Sequence, residues 1–227
     1  EIIAELEEVV VSSNSFGFED YLNVRKFCFF LELASGRGYL SELIDAMIKI
    51  GLPGEKLVAY LAFNRYSSSP NLSSIIQEYE RRIQTELFAT EEKCIIFAKD
   101  ILLNGKKMPE AKLNFIFTGK IMLNFVARKE LFELIKEFVS KHAVSTAQID
   151  FVQLYLDEIL WNQVVTFEAN ESMKIEKKTR LNIDFLHQSD YLCPADLILE
   201  REQPIIFTLH SNAADFIAGI YKTTLDD

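Results

Sequence analysis

The chain has few cysteines, no long apolar run and no recognisable leader. Its three cysteines, Cys28, Cys94 and Cys193, are odd in number and far apart. Cys28 and Cys94 lie in apolar helical runs, so we expect buried thiols, which suit a reducing compartment. No apolar run reaches the ~18 residues of a membrane span, and no signal peptide is visible. We therefore predict no membrane span and a cytoplasmic location.

Basic side chains are scarce as well. The 24 lysines and arginines are outnumbered by 34 acidic residues, which gives a net charge of −10 and a pI of about 4.9. A protein that binds duplex nucleic acid draws most of its affinity from neutralising phosphates. No basic stripe offsets this balance, because the lysines of residues 174–180 alternate with a glutamate. We therefore predict no nucleic-acid partner.

Apolar and aromatic residues are abundant. Of the 227 residues 49% are hydrophobic, and 18 Phe and 8 Tyr accompany a single Trp, 8 Gly and 5 Pro. This length suffices for one large domain, or for a main domain with a small appendage. Such a chain buries roughly 70% of its unfolded surface, so an aromatic core that is stable without metals or disulfides is expected. The chain begins at Glu1 without Met, and we expect it to belong to a longer protein.

The stretch from Val9 to Ala34 organises the rest of the chain. Three consecutive valines favour an extended backbone, and the polar residues 12–15, which include Asn14, favour a turn. From Tyr21 onward an almost continuous apolar series leaves little room for a solvent face. A helix that is apolar all round is normally buried. The sequence therefore predicts a strand, a turn and a buried central helix.

This stretch, VVVSSNSFGFEDYLNVRKFCFFLEL, resembles the segment that follows the catalytic barrel in radical S-adenosylmethionine (radical SAM) proteins, especially the cobalamin-binding subgroup. In that family a valine-rich strand leads through a Ser/Thr/Asn turn into a helix of this kind. The resemblance covers about a ninth of the chain and includes no catalytic signature. The CxxxCxxC motif that holds the family's cluster is absent.

The resemblance implies a C-terminal region without its catalytic barrel. The 4Fe-4S cluster, S-adenosylmethionine and, in the subgroup, cobalamin would then be bound upstream of Glu1, in the parent protein. The resemblance assigns no catalytic, cofactor-binding or metal-binding residue to this chain. The substrate, a small molecule, stays unidentified.

Helical periodicity continues from the central helix to Trp161. Gly36 and Gly38 lack the context of a dinucleotide fingerprint and are interpreted as a helix end. Thr90 is a predicted N-cap, and Ser145 or Thr146 is another. The predicted helices cover residues 39–50, 53–62, 72–87, 91–103, 110–126, 129–142 and 147–161.

The period changes to two after residue 162. Apolar and polar residues alternate over 173–185, which is typical of a half-exposed strand. We expect this strand to form a hairpin with residues 165–167 and to pair in a sheet of about three strands with residues 205–209. Residues 193–202 are predicted as loop and short helix, and residues 213–222 as a helical turn or two.

The predicted fold class is therefore mainly α, with a helical body followed by a small antiparallel β portion (α+β). The predicted organisation is a truncated linker or strand over 1–14, a helical body over 15–161, and a β-hairpin-containing portion over 162–227 packed on that body.

Arg25 and Glu32 are charged residues two turns apart on one face of a helix that is otherwise suited to burial. Buried charge is costly without partners. One interpretation is a polar pocket or domain interface, in which Arg25 holds a carboxylate or phosphate bidentately and Asn14 lies nearby. The other is an internal ion-pair network with Glu19 or Glu42.

His187 and His210 are the histidines of the β region, and Asp184, Asp190 and Asp215 are near them in sequence. If their strands pair, both rings can meet at one site with an aspartate, a ligand set that zinc or iron accepts. The alternative is that they are polar loop and strand-end residues. The spacing matches no established signature.

Three functions remain open from the sequence. The first is a non-catalytic accessory domain of a radical SAM enzyme, which packs on the catalytic core of the same chain and helps to enclose or select substrate. The second is a freestanding helical module that binds a partner helix or peptide. The third is a metal-dependent enzyme with a site near His187 and His210. The first predicts an uncovered apolar or charge-complementary patch around the N-terminal strand and the central helix.

Overall fold

The computed structural model describes residues 10–35, 38–103, 112–161, 174–182 and 193–208. Within these residues a helical body is followed by two antiparallel strands, which confirms the predicted fold class. The helices are α1 (Phe18–Ala34), α2 (Ser41–Lys49), α3 (Gly54–Phe63), α4 (Pro70–Thr85), α5 (Glu91–Leu103), α6 (Leu113–Leu123), α7 (Phe125–His142) and α8 (Thr146–Leu154). A π-helical turn (Tyr155–Leu160), β1 (Lys174–Leu181), a 3₁₀ turn (Pro194–Leu197) and β2 (Ile198–Thr208) follow.

Local capping explains several of these boundaries. The hydroxyl of Thr90 accepts from the backbone N–H of Lys93 at the start of α5. Ser145 and Gln148 form a capping box at α8, because each side chain accepts from the other's backbone N–H. Gly51 closes α2 with a φ of 81°, a conformation that glycine adopts without steric cost.

The predicted boundary between the sixth and seventh helices is wrong. The sequence favoured helices over 110–126 and 129–142, but α6 ends at Leu123 and α7 begins at Phe125. Asn124 accounts for the difference, since its side chain accepts from the N–H groups of Val126 and Ala127. An asparagine in this position satisfies two of the donors that a helix start leaves unpaired.

The core of the body is aromatic, as the composition predicts. Helix α1 packs on α3, and α7 packs on α4, α6 and α8. The ring of Tyr79 in α4 lies 4.9 Å from that of Phe29 and 5.3 Å from that of Phe117. These three residues are fully buried, and they join α1, α4 and α6 in one apolar cluster.

The N-terminal part departs from the prediction. Residues 10–12 form no strand, and Ser13 pairs with Phe16 in an isolated antiparallel bridge before α1. Helix α1 is not buried all round. Its side toward α3 and α4 is covered, but Val24, Cys28 and Leu31 on the other side are exposed. The prediction of a buried Cys28 thiol is therefore also wrong.

The β portion pairs two distant segments. In β1 and β2, Lys174 lies opposite Thr208, and Lys178 lies opposite Pro204. Strand β2 begins at Ile198, so residues 198–202, which were predicted as loop and short helix, are strand instead. Glu158 of the π-helical turn accepts from Thr179 Oγ1 at 2.7 Å and from the N–H of Arg180 at 3.0 Å, which fixes β1 to the end of the body.

Several predictions lie outside the described residues. They concern the hairpin strand over 165–167, the strand end at residue 209 and the helical turns over 213–222.

Candidate docking surface on the first helix

Helix α1 has two unlike faces. Phe29, Phe30 and Leu33 are buried in the core. On the opposite side Val24 is 49% exposed and Leu31 43% exposed, and Cys28 between them is exposed too. Their spacing of i, i+4 and i+7 places them in one line along the helix. We call these three residues the α1 stripe.

An aromatic pair extends the α1 stripe at one side. Phe27, one residue before Cys28, stacks on Phe63 at the end of α3, with ring centroids 6.1 Å apart and planes inclined by 15°. Phe27 is half-buried, whereas Phe63 is 59% exposed. The stripe and this pair together form a contiguous apolar surface contributed by two helices, the kind of surface that marks interaction sites.

Arg25 borders this surface and has no ion pair within the described residues. Its Nη1 donates to the hydroxyl of Tyr21 at 3.2 Å. Burial disfavours the charged guanidinium and acts to lower the pKa of Arg25. The interactions with Tyr21 and Tyr79 outweigh burial, so this pKa is raised above its usual value. Neither predicted partner pairs with it, and Glu42 instead accepts from the hydroxyl of Tyr155 at 3.3 Å.

Glu32 belongs to a separate hydrogen-bonded cluster. The amide of Asn114 in α6 donates to Glu32 Oε2, and the hydroxyl of Tyr79 donates to Asn114 Oδ1 at 2.8 Å. The same hydroxyl lies 3.2 Å from the carbonyl oxygen of Arg25. Burial raises the pKa of Tyr79 to about 12, so the phenol stays protonated at neutral pH. Tyr79 and Asn114 therefore link the Glu32 carboxylate to the main-chain carbonyl of Arg25, and the Arg25 guanidinium takes no part in this cluster.

The sequence did not identify Tyr79 or Asn114 as members of this cluster. Tyr79 was assigned only to the apolar side of its helix. The residue type could have indicated a buried hydrogen bond here, because the hydroxyl of a buried tyrosine usually finds a hydrogen-bond partner. Asn114 carried no such signal.

Asn14 lies at the tip of the turn between Ser13 and Phe16, and its side chain is exposed. The backbone N–H of Ser13 donates to the carbonyl of Phe16 at 2.6 Å. The structure therefore places Asn14 in the turn that leads into α1, while Arg25 and Glu32 lie on the helix itself.

A second exposed apolar surface lies on α5. Ile96 and Phe97 are exposed there, and the ring of Phe97 lies 5.0 Å from that of Phe88. Among the described residues, α5 makes no extensive contact with another helix or strand.

The proposed metal site lies outside the described residues, since His187, His210 and the nearby aspartates are not among them. Where the structure is described, no group of three His, Cys, Asp or Glu side chains is arranged to hold a metal ion. His142 lies at the C-terminus of α7, with Nδ1 2.8 Å from the carbonyl oxygen of Phe138. No described helix has both the length and the apolar character needed to cross a bilayer.

Comparison with known proteins gives no relative: no protein family, curated protein or solved structure matches the chain.

Proposed function

We propose that the chain is a non-catalytic accessory domain of a radical SAM enzyme, which packs on the catalytic core and helps to enclose or select a small-molecule substrate. The observation that carries this proposal is the uncovered apolar α1 stripe. It lies in the same stretch that resembles the family, on the side of α1 that faces away from the domain's own core. Under this proposal the core supplies the cluster, S-adenosylmethionine and, in the subgroup, cobalamin.

The composition of the surface supports docking to protein. Isolated exposed apolar residues are common, but a contiguous patch bordered by polar groups is typical of an interface. Val24, Leu31 and the ring of Phe63 supply the apolar part, and Arg25 supplies a cation at the border. An arginine at the edge of such a patch binds a carboxylate with two parallel hydrogen bonds, which adds specificity to apolar contact.

The proposal includes a cytoplasmic location. Cys28, Cys94 and Cys193 are free thiols in the structure, and a reducing compartment keeps thiols in that form.

Two matched substitutions in the complete gene product test the docking role. Leu31→Glu places a charge in the α1 stripe, and Ile48→Glu places the same charge at an α2 residue that is 47% exposed, close to the 43% of Leu31. We expect Leu31→Glu to release the domain, which is measured as faster proteolysis between the domain and the core. Ile48→Glu should leave the cleavage rate unchanged. Equal cleavage of both variants would contradict docking through α1.

The second candidate is a freestanding interaction module, and the α5 surface favours it. Ile96 and Phe97 are exposed on a helix that the described body leaves largely uncovered, and a partner helix would bury them. In this case Phe97→Glu, and not Leu31→Glu, would abolish binding of the partner.

A further inference from the structure

The register of β1 and β2 shows which backbone groups of β1 point away from its partner. Lys178 lies opposite Pro204, and proline has no N–H to donate. Pairs along an antiparallel ladder alternate, and in each hydrogen-bonded pair both residues donate. Lys178 and Pro204 therefore form a non-hydrogen-bonded pair. The N–H and C=O groups of Lys178, and of Glu176 two residues before it, point away from β2.

This outer edge of β1 ends at Arg180. The backbone N–H of Arg180 also points outward, and it donates to Glu158 Oε2 at 3.0 Å. The outward N–H groups of Glu176 and Lys178 have no hydrogen-bond partner among the described residues. Within the described part of the chain, β1 thus presents an unpaired edge over residues 174–178.

The helical body holds this edge in place. Thr179 and Leu181 are buried, and Thr179 Oγ1 donates to Glu158 at 2.7 Å. Ile205, which lies opposite Lys177, packs against the core as well. The strand is therefore ordered before any partner binds, which lowers the conformational entropy that binding would cost.

The outer edge of β2 is less suited to pairing. Pro204 lies on it and cannot donate a hydrogen bond to a further strand, and proline is one of the residues that protect exposed edges. Strand β1 contains no proline. Of the two edges, β1 is therefore the one that can accept another strand.

Strand β1 is strongly basic in an acidic protein. Its sequence, KIEKKTRL, has four basic residues and one acidic residue, a net charge of +3, whereas the whole chain carries −10. Lys177 and Lys178 are exposed on opposite faces of the strand, and neither has an ion pair with a described residue. Arg180 Nε instead donates to the carbonyl oxygen of Leu199 at 3.2 Å. A strand added at this edge would meet a lysine on both of its faces.

We propose that the outer edge of β1 binds an extended acidic segment of a partner protein by β-strand addition. Backbone hydrogen bonds to Glu176 and Lys178 supply the affinity, and the side chains of Lys177 and Lys178 select for carboxylates. A second copy of β1 is disfavoured, because it would bring together two strands that each carry +3. This surface is separate from the α1 stripe, so the inference goes beyond the proposed function.

Amide hydrogen exchange in the 227-residue chain, followed by NMR, tests the pairing. The probe is a short capped peptide in which glutamate and threonine alternate. Exchange at Glu176 and Lys178 should be fast without the peptide and at least about tenfold slower at saturation. Slow exchange without the peptide would overturn the proposal. It would favour a second copy if the protection rises with protein concentration, and the predicted hairpin strand over 165–167 if it does not.

Two variants at position 176 separate strand addition from simple charge attraction. Glu176→Pro removes an outward N–H but no bond to β2, whereas Glu176→Ala removes the same negative charge and keeps the N–H. With a fluorescein-labelled probe, Glu176→Pro should weaken binding at least about tenfold in fluorescence anisotropy. Glu176→Ala should bind at least as tightly as the parent chain. Equal affinities for two variants that circular dichroism shows to be folded would overturn the proposal.

A second pair of variants tests the selection for acidic segments and leaves the strand backbone unchanged. Lys178→Glu reverses a charge at the edge, and Lys56→Glu makes the same change at an exposed residue of α3. Lys178→Glu should weaken binding of the acidic probe about three- to tenfold and strengthen binding of the same peptide with lysine in place of glutamate. Lys56→Glu should change neither affinity. Equal effects of the two substitutions would overturn the assignment of the site to β1.

Discussion

Two leucines of α1, two residues apart, are expected to differ in how strongly the same substitution destabilises the chain. Leu33 is 2% exposed in the core, and Leu31 is 43% exposed in the α1 stripe. Leu→Ala at a buried position costs about 3 to 5 kcal/mol, since transfer and cavity terms add. At Leu31 the side chain is only partly covered and leaves no enclosed cavity, so the cost should be at most about 1 kcal/mol.

The assay is thermal unfolding of the 227-residue chain, followed by circular dichroism. For a domain of this size about 1 kcal/mol shifts Tm by about 2–4 °C. Leu33→Ala should then lower Tm by at least about 6 °C, and Leu31→Ala by at most about 4 °C. In the complete gene product Leu31→Ala should become more damaging, because docking buries its side chain. Equal losses at both positions in the isolated chain would refute the assignment of the two faces.

Three further outcomes follow from the structure. Gly38→Ala should destabilise the chain by about 1–3 kcal/mol in urea unfolding, because a Cβ there meets the backbone carbonyl of Leu33. Glu130→Ala should cost about 1–2 kcal/mol in the same assay, since Glu130 accepts at 2.7 Å from the N–H of Leu72 and so caps α4 from another helix. Burial raises the pKa of Tyr79 to about 12, so its stabilising contribution is complete below pH ~10 and is lost as pH rises from about 10 to 12. Tyr79→Phe should flatten that part of the stability–pH curve, and an unchanged curve would contradict the assignment.

The sequence predicted the helices that local rules determine. Thr90 was predicted as one cap and Ser145 or Thr146 as another from residue type and position alone, and the structure has Thr90 and Ser145 in that role. Their hydrogen bonds join residues three apart, so a short window contains all the information. Asn124 was missed because its neighbours on both sides are apolar and continue the helical period across it.

The sequence could not determine which face of α1 is covered. The helix is apolar on nearly every side, so its periodicity gave no preferred direction and predicted complete burial. Phe29 and Leu33 are buried because α3 and α4 pack there, whereas Leu31 and Cys28 are exposed. That choice depends on contacts between residues far apart in sequence.

The partner of β1 was a non-local choice too. Alternation over 173–185 identified β1, and the predicted pairing with residues 205–209 is confirmed for residues 205–208. The part of β2 from Ile198 to Pro204 was missed. Pro204 lies within that strand, and proline lowers the strand signal of its neighbours. Of the candidate site, Arg25 and Glu32 were recognised from the cost of burying charge, whereas the link through Tyr79 and Asn114 required tertiary structure.

The most direct test of the accessory-domain proposal is the iron and acid-labile sulfide content of the complete gene product, purified anaerobically beside the 227-residue chain. The proposal predicts about four irons per molecule in the complete product, with a reducible visible absorption band, and no bound metal in the 227-residue chain. A colourless complete product, or a stoichiometric metal in the 227-residue chain, would contradict it. The latter result would direct attention to His187 and His210.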